Sequence, residues 1–223
     1  MKKLFTLLAL TITFSMNAQV STNSTSPTGI YASAMGNGTT ASGNESTAMG
    51  YDTTASGEAS TAMGFSTTAS GLHSTAMGGD STASGYASTA MGLSTTASGN
   101  YSTAMGSSTS ASGWFSTAMG RNTTASGSRS TAMGYGTTAK DYASLVIGQY
   151  NSSGSSATSA DSFSTSAPAF VVGNGTDSSN KSDAFKVMFN GDTTVSNDLT
   201  VSGDVVISSD ARLKSNIVSL GST

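Results

Sequence analysis

From Ala34 to Ala139 apolar and hydroxyl-bearing positions follow a lattice that does not slip: an Ala-x-Gly unit returns every seven residues, and two heptads make a 14-residue unit. One copy reads Ser46-Thr47-Ala48-Met49-Gly50, two variable residues, then Thr53-Thr54-Ala55-Ser56-Gly57 and two more variable residues. A fixed period of this kind predicts a stacked solenoid. Helix is excluded, because a Gly in every heptad and two or three adjacent Ser/Thr would sum to a heavy propensity cost. The pattern predicts strands of three to five residues with turns at Gly and the variable pairs. Side chains alternate along a strand, so Ala48 points to one side while Thr47 and Met49 point to the other, and Ala55 opposes Thr54 and Ser56. Two such strands facing each other as walls of a thin roll would bury the sixteen alanines from Ala34 to Ala139 between them.

The outer faces then differ, one showing Thr and Met, the other Thr and Ser. Met recurs at Met35, Met49, Met63, Met77, Met91, Met105, Met119 and Met133, eight of the eleven in the chain, with Ile147 in the same place after the last of them. An apolar stripe of that length is rarely left uncovered on a soluble protein. Burying each Met stabilises by roughly 1.5–3 kcal/mol, whereas alanines alone make a meagre core. Parallel, in-register self-association through the Met wall is therefore expected. The competing arrangement turns Met inward and Ala outward as a monomeric solenoid; it is disfavoured because it would bury serines poorly satisfied.

The variable pairs carry Tyr51, Phe65, Tyr86, Tyr101, Trp114, Phe115 and Tyr135. At turns they are candidate ligand-contacting residues, since exposed, ordered aromatics bind sugars or protein surfaces. Alternatively they shield the roll's edges or pack between neighbouring turns. His73, the single histidine, has no ligating partners in the pattern. Asp52, Glu58 and Asp80 do not recur at fixed places, which argues against a calcium-binding roll. No metal and no cofactor is expected. Asp52-Thr53-Thr54 and Asp80-Ser81-Thr82 have the look of O-glycosylation acceptor triplets.

Composition narrows the class. With 26 glycines and 9% charged residues the chain is biased and repetitive; a net charge of -3 with scattered Lys and Arg gives no footprint for nucleic acid. The absence of cysteine leaves stability to packing or oligomerisation. Met1-Lys2-Lys3, an apolar run from Leu4 to Phe14 and Met16-Asn17-Ala18 read as a secretory signal over residues 1–18, too short to span a bilayer. No transmembrane segment is expected in the mature chain. Residues 19–30, with Pro27 and Gly29, read as a flexible lead-in, and residues 31–148 as the roll.

Beyond it, residues 149–168 are Ser/Ala/Gly-rich without periodicity and read as a linker. Residues 169–207 read as a hairpin and shaft strands. Ala184–Phe189 alternates and ends on Asn190-Gly191-Asp192, a hairpin turn signal, and short apolar alternations at Val195, Leu199, Val201, Val205 and Ile207 suggest a slender multichain stalk.

Ser60-Thr61-Ala62-Met63-Gly64 and Thr67-Thr68-Ala69-Ser70-Gly71 resemble the head repeats of trimeric autotransporter adhesins of the YadA-like type, with Thr and Met in place of Val and Ile. The resemblance implies an all-β, left-handed parallel β-roll of 14-residue coils that forms a homotrimer. Ala143-Ser144-Leu145-Val146-Ile147-Gly148, after Asp141 interrupts the Gly column, reads as a capping coil. Ser208-Ser209-Asp210-Ala211-Arg212-Leu213-Lys214 resembles the opening of the endosialidase-type intramolecular chaperone of tail spikes. That resemblance implies self-cleavage between Ser208 and Ser209, with Ser209 and Lys214 as the catalytic pair. Only nine residues follow Lys214, so residues 208–223 are expected to be a truncated start of that domain and cleavage by this chain is not expected. Without the chaperone motif, Ser209 or Asp210 would be a helix N-cap.

The adhesins' coiled-coil stalk and barrel anchor have no counterpart in this pattern. The expected function is a secreted, cell-surface or outer-membrane-associated fibre that adheres to a host or cell-surface glycan or protein. Two alternatives stay open: an ice- or crystal-surface binder using the Thr54 and Ser56 hydroxyl ladder, with rungs about 4.8 Å apart, and a phage-derived tail-fibre-like protein. Turnover of an external substrate is not expected, because no Ser/His/Asp set or spaced carboxylate pair appears and a stack of narrow rolls offers no deep pocket.

Overall fold

The structure, a computed structural model, describes residues 22–154 and 156–202, and among them it contains strands and no helix. The 14-residue unit is one coil of a parallel β-solenoid. Each coil contributes a five-residue strand such as Thr47–Tyr51 to one sheet and a two-residue strand such as Thr54–Ala55 to the other. The sheets have 13 and 9 strands. Register is the sequence period itself: Ala48 lies on Ala62, Met49 on Met63 and Gly50 on Gly64 in the long-strand wall, and Thr54 on Thr68 in the short-strand wall. Thr47 N–H donates to Ser60 O at 2.9 Å and Thr54 N–H to Thr67 O at 2.8 Å, so each coil's backbone is satisfied by the next.

All sixteen alanines lie inside, all but Ala34 at 0% exposure. The interior is not alanine alone, however. Ser46 and Thr53, two residues before Ala48 and Ala55, share their side by strand alternation and are equally buried. Sequence reasoning about the central three residues of each strand missed this hydroxyl column. Ser46 Oγ and Ser60 Oγ donate to the carbonyls of Gly43 and Gly57 at 2.6 Å, whereas the Oγ1 of Thr53 and Thr67 has no protein partner.

Two features set the coil's shape. Both turns of each coil pass through a left-handed residue at the second variable position: φ is 58° at Glu45, 55° at Asp52, 50° at Ala59 and 48° at Ala87. A non-glycine residue there costs roughly 1 kcal/mol. Its N–H is fixed by the neighbouring coil, Asp52 N donating to Asn37 O at 2.8 Å and Ala59 N to Asn44 O at 2.8 Å. The glycines, in turn, are where coils touch. A Cβ on Gly85, whose φ is unremarkable, would lie 2.1 Å from Gly99 O; one on Gly50, at φ 125°, would lie 2.0 Å from Gly64 O.

Both ends differ from expectation. Residues 22–27 belong to the roll rather than to a flexible lead-in: Thr22–Asn23 pairs in parallel with the first long strand and Ser26–Pro27 with the first short one. Pro27, which cannot donate to a ladder, sits in the outermost strand. At the other end the segment read as a linker folds over the last coil. The buried Asn151 side chain bonds both backbone groups of Thr138, accepting from its N–H and donating to its carbonyl at 2.8 Å, as a further strand would. Lys140 N donates to Gly154 O, Tyr142 N to Ser159 O and Ser128 N to Ala160 O. Asp141, in the Gly column, is buried, and its Oδ1 accepts from Thr158 N and Ser159 N at 2.5 and 2.7 Å. These contacts blunt an edge that would otherwise offer unpaired groups.

Pro168–Asn174 then adds to the long-strand wall in parallel, with Val171 on Val146 and Gly173 on Gly148. Asp183–Met188 and Thr193–Val195 follow antiparallel, joined through the Asn190-Gly191 turn. Leu199 and Val201, expected in shaft strands, are exposed and outside any strand; Val205 and Ile207 lie outside the described residues.

Gly85→Ala is expected to destabilise by about 3 kcal/mol, the upper end of overpacking costs, since the added Cβ meets backbone that cannot yield, while Ser84→Ala on the exposed face changes stability by less than about 0.5 kcal/mol; urea unfolding of the two variants measures the difference. Asp141→Ala should cost about 1–3 kcal/mol by orphaning two amides, and hydrogen exchange should quicken at Thr158 and Ser159 while the central coils stay protected.

Candidate binding edges and the apolar face

Four surfaces run the length of the roll, and the 14-residue phase assigns every outward side chain to one of them. The outer face of the long-strand wall carries the Thr47 and Met49 columns. Each Met from Met35 to Met133 is half-buried, as is Ile147, and strand pairing carries the stripe on through Val172 and Phe185 to Val195. Phe170 and Phe185 meet edge-on at 6.0 Å. The stripe is thus a continuous apolar line that Thr side chains flank.

The outer face of the short-strand wall is a hydroxyl array, with Thr54 half-buried and in register with Thr68 one coil away, and Ser56 exposed. The two triplets considered for O-glycosylation are split by this geometry: Thr53 and Ser81 are fully buried, and only Thr54 and Thr82 point outward.

The seven turn aromatics do not form one cluster. Tyr51, Phe65 and Tyr135 lie on the edge that follows the long strand, while Tyr86, Tyr101, Trp114 and Phe115 lie on the edge that precedes it. On the first edge Tyr51 and Phe65 stack at 5.3 Å, and Tyr135 holds Arg121 at 5.4 Å on its face and Tyr150 edge-on at 5.0 Å. The Tyr135 side chain pushes the Tyr150 hydroxyl pKa up. On the second edge a run of contacts passes from coil to coil: His73 on Tyr86 at 5.7 Å, Tyr86 on Tyr101 at 5.1 Å, Tyr101 on Phe115 at 4.8 Å. Arg129 continues it, lying 5.5 Å from the Phe115 ring and 5.2 Å from that of Tyr142. These residues pack between neighbouring turns, and Tyr51, Phe65, Tyr101, Trp114 and Phe115 nevertheless stay about half exposed.

Sequence reasoning passed over Arg121 and Arg129, although Arg129 shares the phase of Tyr101 and Phe115 and could have been found from it. Asp161 had no signal, because the non-periodic loop that brings it to the second edge follows no repeat. Its Oδ1 accepts from Ser128 Oγ at 2.9 Å. Ser209 and Lys214 lie outside the described residues. Among the described residues no three His, Cys, Asp or Glu side chains gather as metal ligands, and no helix is long and apolar enough to cross a membrane.

The model of the YadA head domain repeat (2 copies) matches residues 28–53, 55–81, 83–109, 97–123, 111–137 and 125–151. No curated protein matches the chain in sequence. The matched stretches follow the coils one after another and together span more than half of the sequence. The chain belongs to the YadA head domain repeat family.

Proposed function

We propose that this chain is the head of a homotrimeric, surface-displayed fibre that adheres to cells, matrix or glycans and turns over no external substrate. The observation that carries the reading is the Met stripe, whose eight side chains stand in register on one outer face and stay half exposed in a single chain. Covering what remains exposed of each contributes on the order of 1 kcal/mol, and a partner aligned in parallel gains this at every rung. Family membership supports three copies around one axis. The apolar signal-like stretch over residues 1–18 supports export, and with it display outside the cell.

Association through the Met wall leaves the hydroxyl wall and parts of the two edges facing outward. Three copies of an edge raise adhesion by avidity, since one contact holds the others at high effective concentration. A second reading draws on the hydroxyl wall: Thr54, Thr68, Thr82 and Thr96 stand in register beside the exposed serines, a regular face suited to an ice or crystal surface. Freezing hysteresis lost on Thr82→Lys, without loss of cell adhesion, would favour it.

Met63→Glu combined with Met91→Glu should reduce the mass in light scattering from three chains to one and lower adhesion to coated surfaces at least tenfold. Full adhesion by a single-chain species would overturn the proposal.

A further inference from the structure

At the second edge the coil pattern is interrupted once. The capping segment crosses from the last coil to the edge, fixed by Tyr142 N to Ser159 O and Ser128 N to Ala160 O at 2.8 Å, and there it sets Asp161 beside Trp114. Trp114, Ser128, Arg129 and Asp161 line a cleft of about 490 Å³, within the roughly 300–1,000 Å³ of small-molecule sites. Trp114 is 60% exposed. Arg129 N donates to Trp114 O at 2.6 Å, which ties the two residues' backbones together across adjacent coils.

The polar groups of the cleft are held by other contacts. Ser128 Oγ occupies one oxygen of Asp161 and orients the carboxylate. The Arg129 guanidinium is held by the Phe115 and Tyr142 rings and forms no ion pair among the described residues. Its N–H donors and the Asp161 carboxylate therefore offer fixed donors and acceptors beside a flat indole.

We infer that this cleft binds a neutral pyranose unit of a glycan, with its C–H face on Trp114 and adjacent hydroxyls shared between Asp161 and Arg129. An apolar ligand would cover both charges unpaired. An anionic one meets Asp161 and a cationic one meets Arg129, whereas a sugar hydroxyl donates to a carboxylate and accepts from a guanidinium. The inference rests on the adhesion reading and gives it a ligand class. Because the loop reaches the edge at one coil, each chain holds one such site.

The test is saturation-transfer NMR on the full chain with the methyl pyranosides of glucose, galactose and mannose, and with a sialylated lactose as the acidic comparison. Transfer to at least one neutral pyranoside is expected, with affinity reduced at least tenfold by Trp114→Ala and by Asp161→Asn and unchanged by Tyr51→Ala on the opposite edge. Light scattering and thermal unfolding of each variant confirm unchanged assembly and fold. No transfer to any neutral sugar, transfer that survives both substitutions, or preference for the sialylated sugar overturns the inference. Adhesion of the unmodified chain to cells, measured alongside, separates the two claims: adhesion without sugar binding sinks this site alone, and absence of adhesion sinks the broader reading.

Discussion

The structure depends on one contact, the approach of each coil's glycine to the glycine carbonyl of the next. At Gly57 a Cβ would stand 2.1 Å from Gly71 O, and the same holds along both glycine columns. The spacing is that of hydrogen-bonded parallel strands, so a larger residue at one rung would break pairing on both sides of it. Identity of successive coils follows from this constraint. Once the coils are forced into register, alanine is the side chain that fits between the walls, and Ser or Thr fills the remaining inward position at Ser46 and Thr53.

Such an interior is poor in apolar area, so the coils gain little from burial and much from backbone pairing. Two consequences shape the molecule. The ends need covering, which Pro27 in the outermost strand, the Asn151 amide on Thr138 and the Asp141 carboxylate on Thr158 and Ser159 supply in different ways. The apolar surface the core lacks is instead displayed on the Met face. Meanwhile the two variable residues per heptad lie outside every constraint except the left-handed turn. The edges can therefore carry Glu45, His73, Tyr101 or Arg129 at equivalent places without disturbing the stack, and that freedom suits recognition.

The period made the fold legible in the sequence: the strands, their parallel register, the inward alanines and the outward Met column all follow from counting by seven and alternating by two. Less legible was what the count does not reach. The inward hydroxyls at Ser46 and Thr53 needed alternation carried one residue beyond the strand's centre. The left-handed turns fall on residues such as Ala87 and Phe115, whose own preferences argue against that conformation; hydrogen bonds from adjacent coils impose it. Residues 149–168 have the composition of a linker because a cap built from serine and alanine backbone groups needs no apolar period. The division of the turn aromatics between two edges was present in their phase, since Tyr51 and Phe65 are 14 apart whereas Tyr101 belongs to the other heptad. Asp161 came to the edge through the cap alone.

In the proposed fibre the Met face joins three chains in parallel. Sedimentation equilibrium of the unmodified chain over a wide concentration range tests it most directly. A single species of three times the chain mass, unchanged on dilution, is expected; a species of one chain mass, with the Met face left open to solvent, would rule out the trimer.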